Sequence, residues 1–162
     1  MPVTVRVALV TVSDSAAQGT RPDASGPALA ERCRELGWQV VSTDILPDDR
    51  TPLETRLSVL ADSGAADLIL TTGGTGLGPR DITPEATVAV CAKLLPGLGE
   101  VMREKGRHLN ERAVLSRAVA GLRAKSIIVN LPGSPKGAVE SLMAVEEVLP
   151  HAVDVVAGAR HD

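Results

Sequence analysis

A cluster of glycines is the first feature of this sequence that points to ligand chemistry. The cluster consists of Gly73, Gly74, Gly76 and Gly78. Because glycine has no side chain, the backbone N–H groups of such a segment are free to approach a ligand closely, and a predicted helix begins shortly after it. Phosphate is the ligand that this arrangement favours. Arg80 and Asp81 follow soon after the glycines and weigh against the alternative, a glycine-rich turn without a ligand.

The spacing of these glycines departs from two common phosphate-binding motifs. Gly73 and Gly78 match the glycines of a P-loop, but Pro79-Arg80 stands where that motif has Lys-Ser/Thr. The G-x-G-x-x-G pattern of dinucleotide-binding proteins is absent from the sequence. The segment therefore predicts neither a standard NTPase loop nor a Rossmann dehydrogenase loop.

Two aspartates are candidates for a metal or catalytic site. Asp81 follows the glycines, and Asp48 follows the second predicted strand, with Asp49 beside it. In phosphate sites Mg²⁺ usually takes one or two carboxylates together with substrate oxygens, so Asp48 and Asp81 would share an ion if their loops meet. The alternative is structural, with Asp48 forming a turn and Asp81 capping the next helix. The spacing alone leaves both interpretations open.

Strand-like and helix-like segments alternate along the chain and must position these residues. Apolar, β-branched segments predict strands at 5–12, 38–46, 68–72 and 126–131. Helix signals predict helices at 27–37, 51–63, from 83, after Pro96-Gly97, and from Ser134 to about Leu149. Thr51 and Thr83 are the predicted caps of the second and third helices. The alternation predicts an α/β fold in three layers, with a mostly parallel central sheet and a single domain over residues 1–162.

The loops that leave the predicted strands are expected to converge on one site, because ligands of parallel sheets bind beyond the carboxyl ends of the strands. The residues predicted to contact the ligand are Ser13, Asp14, Thr72, Gly73, Gly74, Thr75, Gly76, Arg80, Pro132, Gly133, Ser134 and Lys136. Lys136 would meet phosphate at the start of a helix, although an ordinary exposed lysine is the commoner explanation.

Composition argues against several other classes of function. The chain has 162 residues, a formal net charge of −3, no Phe or Tyr, and Trp38 as its single aromatic residue. Without a basic patch or aromatic stacking side chains, nucleic acid is not an expected partner. No apolar segment approaches the roughly 20 residues of a membrane span, and no signal peptide is evident. We therefore expect a cytoplasmic protein without membrane contacts.

The cysteines and histidines are not candidates for metal binding. Cys33 and Cys91 lack zinc-binding spacing and are predicted to be buried thiols within helices. His108, His151 and His161 lie outside the predicted site loops, so no role is assigned to them.

The glycine cluster belongs to a longer composite motif. Its main part is Thr71-Thr72-Gly73-Gly74-Thr75-Gly76, then Arg80-Asp81, then Thr83-Pro84-Glu85-Ala86-Thr87. Further segments of the motif are Ser13-Asp14, Leu46-Pro47-Asp48-Asp49, Pro96-Gly97-Leu98-Gly99-Glu100, Leu115-Ser116-Arg117 and Asn130-Leu131-Pro132-Gly133-Ser134-Pro135. Over about residues 5–157, the chain resembles the MogA/MoaB family of molybdenum cofactor biosynthesis proteins.

The resemblance implies a homotrimeric or hexameric domain that binds the pterin molybdopterin, like the G-domain of gephyrin. Active members of the family are adenylyltransferases, which transfer AMP from Mg-ATP to the terminal phosphate of molybdopterin and release pyrophosphate. The two functional aspartates of the family correspond to Asp48 and Asp81, the pair already chosen for Mg²⁺. The adenylylated product would be handed to a molybdate-inserting protein.

Two other functions stay open at this point. The sequence ends soon after Leu149-Pro150-His151, as in the MoaB branch, and some MoaB proteins bind the pterin without evident adenylylation. In that alternative the chain would be a non-catalytic carrier or scaffold, although Asp48 and Asp81 favour activity. A generic nucleotide-binding regulator would bind ATP regardless of the pterin. In the catalytic hypothesis, the pterin phosphate lies against the amides of Gly73 to Gly76, and Ser134 and Lys136 help to hold the ligand. The reaction needs no general base, because the attacking phosphate is already ionised.

Overall fold

The computed structural model describes residues 4–158, which form one six-stranded sheet with helices packed on both faces. The strands are β1 (Arg6–Val12), β2 (Gln39–Leu46), β3 (Leu68–Thr72), β4 (Lys93–Leu94), β5 (Ala120–Arg123) and β6 (Ser126–Leu131). The helices are α1 (Asp14–Ala17), α2 (Ser25–Glu35), α3 (Arg50–Asp62), α4 (Thr83–Val90), α5 (Pro96–Gly106), α6 (Pro135–Val145) and α7 (Leu149–Val156), with a 3-10 helix at Glu111–Leu115. Within residues 4–158, no helix has both the length and the apolar character needed to cross a membrane.

The sheet has the strand order β2-β1-β3-β6-β5-β4, and its first four strands are parallel. Successive residues of the buried strands point to opposite faces, so Leu70 and Val129 join the core beneath α2, α5, α6 and α7, whereas Ile69 and Ile128 join the core beneath α3 and α4. This arrangement confirms the predicted three-layer α/β fold. It also brings the carboxyl ends of β1, β2, β3 and β6 to one edge of the sheet.

The antiparallel edge formed by β4 and β5 has no counterpart among the predicted strands. Arg123 of β5 pairs with Ser126 of β6, so Ala124 and Lys125 alone make the turn between them. Ala124 has a φ of +51°. Two-residue hairpin turns with positive φ usually contain Asn, Asp or Gly, so the Ala-Lys pair carries no hairpin signal in the sequence.

The predicted helix from Ser134 to about Leu149 is wrong in its extent. Ser134 is the N-cap of α6, as predicted, and its hydroxyl accepts a hydrogen bond from a backbone N–H of the first turn. However, α6 ends at Val145 and α7 begins at Leu149. Pro150 has no N–H to donate to the carbonyl of Glu146, so one continuous helix would lose a hydrogen bond at this point.

Two predicted helix caps are also wrong. Asp49 is the N-cap of α3 and accepts a hydrogen bond from the Thr51 N–H at 3.4 Å, so Thr51 lies inside the first turn instead of capping it. The helix α4 begins at Thr83 as predicted, but its N-cap is Ile82, which makes no side-chain cap. The Thr83 hydroxyl instead donates to a backbone carbonyl of the glycine segment. The Thr83 side chain therefore binds the loop before α4 and does not cap the helix.

The two cysteines differ slightly from expectation. Cys33 lies buried in α2, whereas Cys91 is half-buried and lies just after α4 instead of within it. Burial raises the pKa of each thiol to about 11. Both thiols are therefore protonated near neutral pH. The prediction of a buried thiol within a helix is confirmed for Cys33 and wrong for Cys91.

Candidate functional site

The loops that follow β1 and β2 are joined by a reciprocal pair of hydrogen bonds. The Asp14 N–H donates to Asp48 Oδ2, and the Asp48 N–H donates to Asp14 Oδ1, each at 2.9 Å. Arg80 binds the same carboxylate, with Nε 2.6 Å from Asp14 Oδ2 and Nη2 3.1 Å from Oδ1. This guanidinium lowers the pKa of Asp14. Three residues predicted from separate parts of the sequence are thus brought together at the carboxyl edge of the sheet.

The ends of β3 and β6 are joined equally closely. The Thr72 hydroxyl donates to the Pro132 carbonyl at 2.6 Å, and the Gly73 N–H donates to the Leu131 carbonyl at 3.1 Å. A Cβ added to Gly133 would lie 3.3 Å from the Cα of Gly73. Gly73 has a φ of +102°, and a Cβ there would overlap the carbonyl at the end of β1. Glycine is therefore required at position 73 for both conformation and space.

A cavity of about 430 Å³ opens between these loops. Asp48 and Asp81 line it together with Gly73, Gly74 and Gly133. Its volume lies within the range that small-molecule sites occupy in proteins. The predicted metal-binding side chains and the glycine backbone therefore face one common space.

Asp48 and Asp81 are candidate ligands for a divalent ion, but they do not form a complete protein cage. Asp48 and Asp81 each keep one carboxylate oxygen without a hydrogen-bond donor in residues 4–158. Burial raises the pKa of Asp48, and repulsion from the carboxylates of Asp14 and Asp81 acts in the same direction. Within residues 4–158, no group of three or more His, Cys, Asp or Glu side chains is placed to hold a metal. This donor set suits a Mg²⁺ ion that arrives with substrate phosphates and water.

The structure divides the sequence-predicted site residues into two groups. The cavity is lined by Ser13, Asp48, Thr72, Gly73, Gly74, Asp81, Gly133 and Ser134. Adjacent loop positions that do not line it are Asp14, Thr75, Gly76, Arg80, Pro132 and Lys136. Lys136 departs most from its expected role, because its side chain is 88% exposed and lies 3.9 Å from Glu140. His108 and His151 do not line the cavity, and His161 lies outside the described residues.

A segment that the sequence analysis does not single out forms another wall of the cavity. Arg21 and Asp23, which precede α2, line it together with Thr11 at the end of β1. Asp23 accepts hydrogen bonds from the Thr11 hydroxyl at 2.9 Å and from the Gly26 N–H at 3.1 Å. Arg21 has no carboxylate partner within residues 4–158, so its charge is available to a ligand. Gly26, a glycine in the first turn of a helix, is the one sequence signal of close packing here.

Comparison with known proteins identifies the family. Residues 8–151 match the MoCF_biosynth family model, which describes a probable molybdopterin binding domain. This chain belongs to the MoCF_biosynth family. The resemblance to molybdenum cofactor biosynthesis proteins that the composite motif indicates is therefore confirmed.

Curated relatives of this MoCF_biosynth chain include two bacterial enzymes named molybdopterin adenylyltransferase. The protein of Helicobacter pylori J99 is 43% identical over 157 residues, which cover 96% of this chain and 89% of the relative. The protein of Escherichia coli K12 is 40% identical over 146 residues, which cover 89% of this chain and 75% of the relative.

Solved structures of the family have the same fold as this chain. The molybdopterin biosynthesis enzyme MoaB of Thermus thermophilus aligns with a TM-score of 0.91 at 45% identity, over 98% of this chain and 100% of that one. The tungsten cofactor synthesizing protein MoaB of Pyrococcus furiosus aligns with a TM-score of 0.86 at 34% identity, over 96% and 99% of the two chains.

Proposed function

We propose that this chain is a molybdopterin adenylyltransferase of molybdenum cofactor biosynthesis. It transfers AMP from Mg-ATP to the terminal phosphate of molybdopterin and releases pyrophosphate. The Helicobacter and Escherichia proteins that carry the name of this activity are 43% and 40% identical to the chain over most of its length. This similarity favours catalysis over a non-catalytic carrier.

The observation that carries the proposal is a set of free backbone amides beside two carboxylates. Within residues 4–158, the N–H groups of residues 74–77 have no hydrogen-bond acceptor. The Gly73 N–H is bound to the Leu131 carbonyl, so the phosphate would meet amides from Gly74 onward instead of from Gly73. Asp48 and Asp81 line the adjoining cavity. Amides for an anion and carboxylates for its metal ion are together what a Mg-nucleotide and a phosphorylated pterin require.

The reaction asks the protein for positioning and charge stabilisation. An oxygen of the pterin phosphate attacks the α-phosphorus of ATP, and the bond from that phosphorus to the departing pyrophosphate breaks. The attacking phosphate is already ionised, so no general base is needed. Mg²⁺ held by Asp48 and Asp81 would offset negative charge on the transferred and departing phosphates. Arg21, which also lines the cavity, adds a positive charge, and the Ser134 hydroxyl still has its own proton to donate to a ligand.

Several features of the proposed enzyme follow from the family resemblance. We expect a homotrimer, or a hexamer built from two trimers, that works in the cytoplasm. The adenylylated pterin would pass to a molybdate-inserting protein.

The decisive experiment combines the purified protein with molybdopterin and Mg-ATP. We expect adenylylated molybdopterin, identified by mass spectrometry, and pyrophosphate, measured by a coupled assay, in equal amounts. Pterin binding without either product would instead identify a carrier or scaffold. ATP binding that is indifferent to the pterin would identify a nucleotide-binding regulator.

A further inference from the structure

Thr83 fixes two consecutive peptide groups at the start of the glycine loop, defined here as residues 73–78. Its hydroxyl donates to the Gly73 carbonyl at 2.9 Å, and its backbone N–H donates to the Gly74 carbonyl at 3.1 Å. Thr83 is fully buried at the start of α4, so water does not compete for either bond. The side of the loop that faces α4 therefore presents carbonyl oxygens to Thr83.

Arg117 fixes the next two peptide groups in the same manner. Its backbone N–H donates to the Thr75 carbonyl at 2.9 Å, and its Nε donates to the Gly76 carbonyl at 2.8 Å. Thr83 and Arg117 together thus hold the carbonyls of residues 73–76, and each of these four carbonyls has a donor. The orientation of the loop backbone is determined by two residues outside the loop.

The orientation of these carbonyls also determines where the N–H groups point. The peptide bonds of the described residues are trans, and in a trans peptide the carbonyl of one residue is opposite to the N–H of the next. The amides of residues 74–77 are therefore directed away from Thr83 and Arg117. They are also the amides that have no acceptor within residues 4–158. Thr75 is buried, and Gly74 and Gly76 beside it are half-buried. A buried backbone N–H without a partner is uncommon in folded proteins, so these consecutive amides point to a ligand.

We propose that Thr83 and Arg117 are positioning residues, which turn the amides of residues 74–77 toward the phosphate groups of the ligand. The proposal rests on the proposed function, because it takes the ligand of this loop to be a phosphorylated substrate. Neither residue touches the substrate or the reacting atoms. Each acts through the backbone of the glycine loop.

The remaining contacts of Arg117 explain why a lysine would not replace it. Its Nη2 donates to the Asp81 carbonyl at 2.8 Å, and its two terminal nitrogens bind the Glu85 carboxylate at 2.7 and 3.2 Å. The guanidinium therefore ties the Gly76 end of the loop to Asp81, one of the proposed metal ligands. A lysine ammonium is a compact charge on a flexible stem and lacks the planar fork that makes these bonds at once.

The test uses the ¹⁵N-labelled full chain and inorganic pyrophosphate as the anion. We expect pyrophosphate to shift the amide signals of residues 74–77 in the wild-type protein. In Thr83→Val, which removes the hydroxyl and keeps the shape, these shifts should shrink and the dissociation constant of pyrophosphate should rise about tenfold. Thr83→Ser should restore both. A Thr83→Val protein with wild-type shifts and affinity would overturn the role of Thr83.

Arg117→Lys is tested against a matched control, Arg123→Lys. Like Arg117, Arg123 binds a carboxylate, that of Asp62, through two nitrogens. It also donates to a backbone carbonyl, that of Val90. The side chains of Arg117 and Arg123 are 36% and 32% exposed. We expect the first substitution to weaken pyrophosphate binding and lower kcat by about tenfold or more, and the second to change neither. Equal effects of the two lysines would overturn the role of Arg117.

The outcome separates this inference from the proposed function. If pyrophosphate shifts the amides of residues 74–77, and Thr83→Val and Arg117→Lys weaken this response, but the enzyme forms no adenylylated pterin, the proposed function fails and the positioning role stands. If adenylylated pterin forms and these amides do not respond, the positioning role fails and the function stands. Should Thr83→Val fail to fold, the comparison of the two arginine variants decides the result.

Discussion

The space around Gly74 predicts an unusually large cost for the smallest side chain. Gly74 has a φ of +70°, and a Cβ there would overlap Thr83 Oγ1 and lie 3.3 Å from Asp48 Oδ1. Alanine in the left-handed region costs about 1 kcal/mol. Moving the Thr83 hydroxyl would leave the Gly73 carbonyl without its donor, and an unpaired buried polar group costs about 1 to 3 kcal/mol. Gly74→Ala should therefore lower the free energy of unfolding by about 2 to 4 kcal/mol.

Gly37→Ala is the matched control for this prediction. Gly37 follows α2 with a φ of +78°, and an added Cβ would have no atom within 4 Å. Only the cost of placing alanine in the left-handed region applies there, so Gly37→Ala should lower the free energy of unfolding by about 1 kcal/mol. Urea denaturation of both variants and the wild-type protein measures the difference, which should be about 1 to 3 kcal/mol.

The Gly74→Ala variant should also lose adenylylation activity, because the methyl group disturbs Thr83 and approaches Asp48. Product formation should be measured in buffer without denaturant, where the folded fraction is high. A variant as stable as Gly37→Ala would refute the close packing of Gly74 against Thr83. Full activity in the folded variant would refute the link between that packing and the site.

Three further predictions concern the metal ligands, one ion pair and the assembly. Asp81→Asn should retain pterin binding and lower turnover by about 100-fold, measured as adenylylated product. Asp48→Asn should act similarly. The double variant should lose far less turnover than the two single losses multiplied together, because two ligands of one ion act together. Glu146 binds the Arg32 guanidinium through both carboxylate oxygens, and its side chain is 11% exposed. Glu35 binds the same guanidinium, but its side chain is 54% exposed. Glu146→Gln should therefore lower the melting temperature more than Glu35→Gln. Light scattering should give the mass of three or six chains, and a stable monomer at micromolar concentration would contradict this.

The sequence predicts best those elements whose residues share one environment throughout. The strands Leu68–Thr72 and Ser126–Leu131 have the predicted bounds, because continuous apolar runs mark strands buried on both faces. The short strands β4 and β5 carry no such signal, and β5 depends on a turn whose residues are untypical. The break between α6 and α7 is hard to predict because apolar residues continue across it, although Pro150 marks it.

In the candidate site, the sequence predicts the residues that carry local signals but not the contacts between residues that are distant along the chain. Asp48, Asp81 and the glycines are evident because loops at strand ends are local features of the sequence. The bond from Arg117 to Gly76 joins residues 41 positions apart, and no spacing rule predicts it. The contribution of Arg21 is not evident from the sequence for a similar reason, since only the fold brings Arg21 to the same cavity as the glycines.

The hydrogen-bonded carbonyls of the glycine loop have an entropic consequence for ligand binding. Fixing the backbone of one residue costs about 1 to 2 kcal/mol of conformational entropy, so ordering residues 74–77 would cost about 4 to 8 kcal/mol if it occurred on binding. Because Thr83 and Arg117 already hold the loop in the folded protein, this entropy is lost when the chain folds and not when the ligand binds. A small anion with few contacts can then bind without ordering the backbone first, and the loop has no need to close over it.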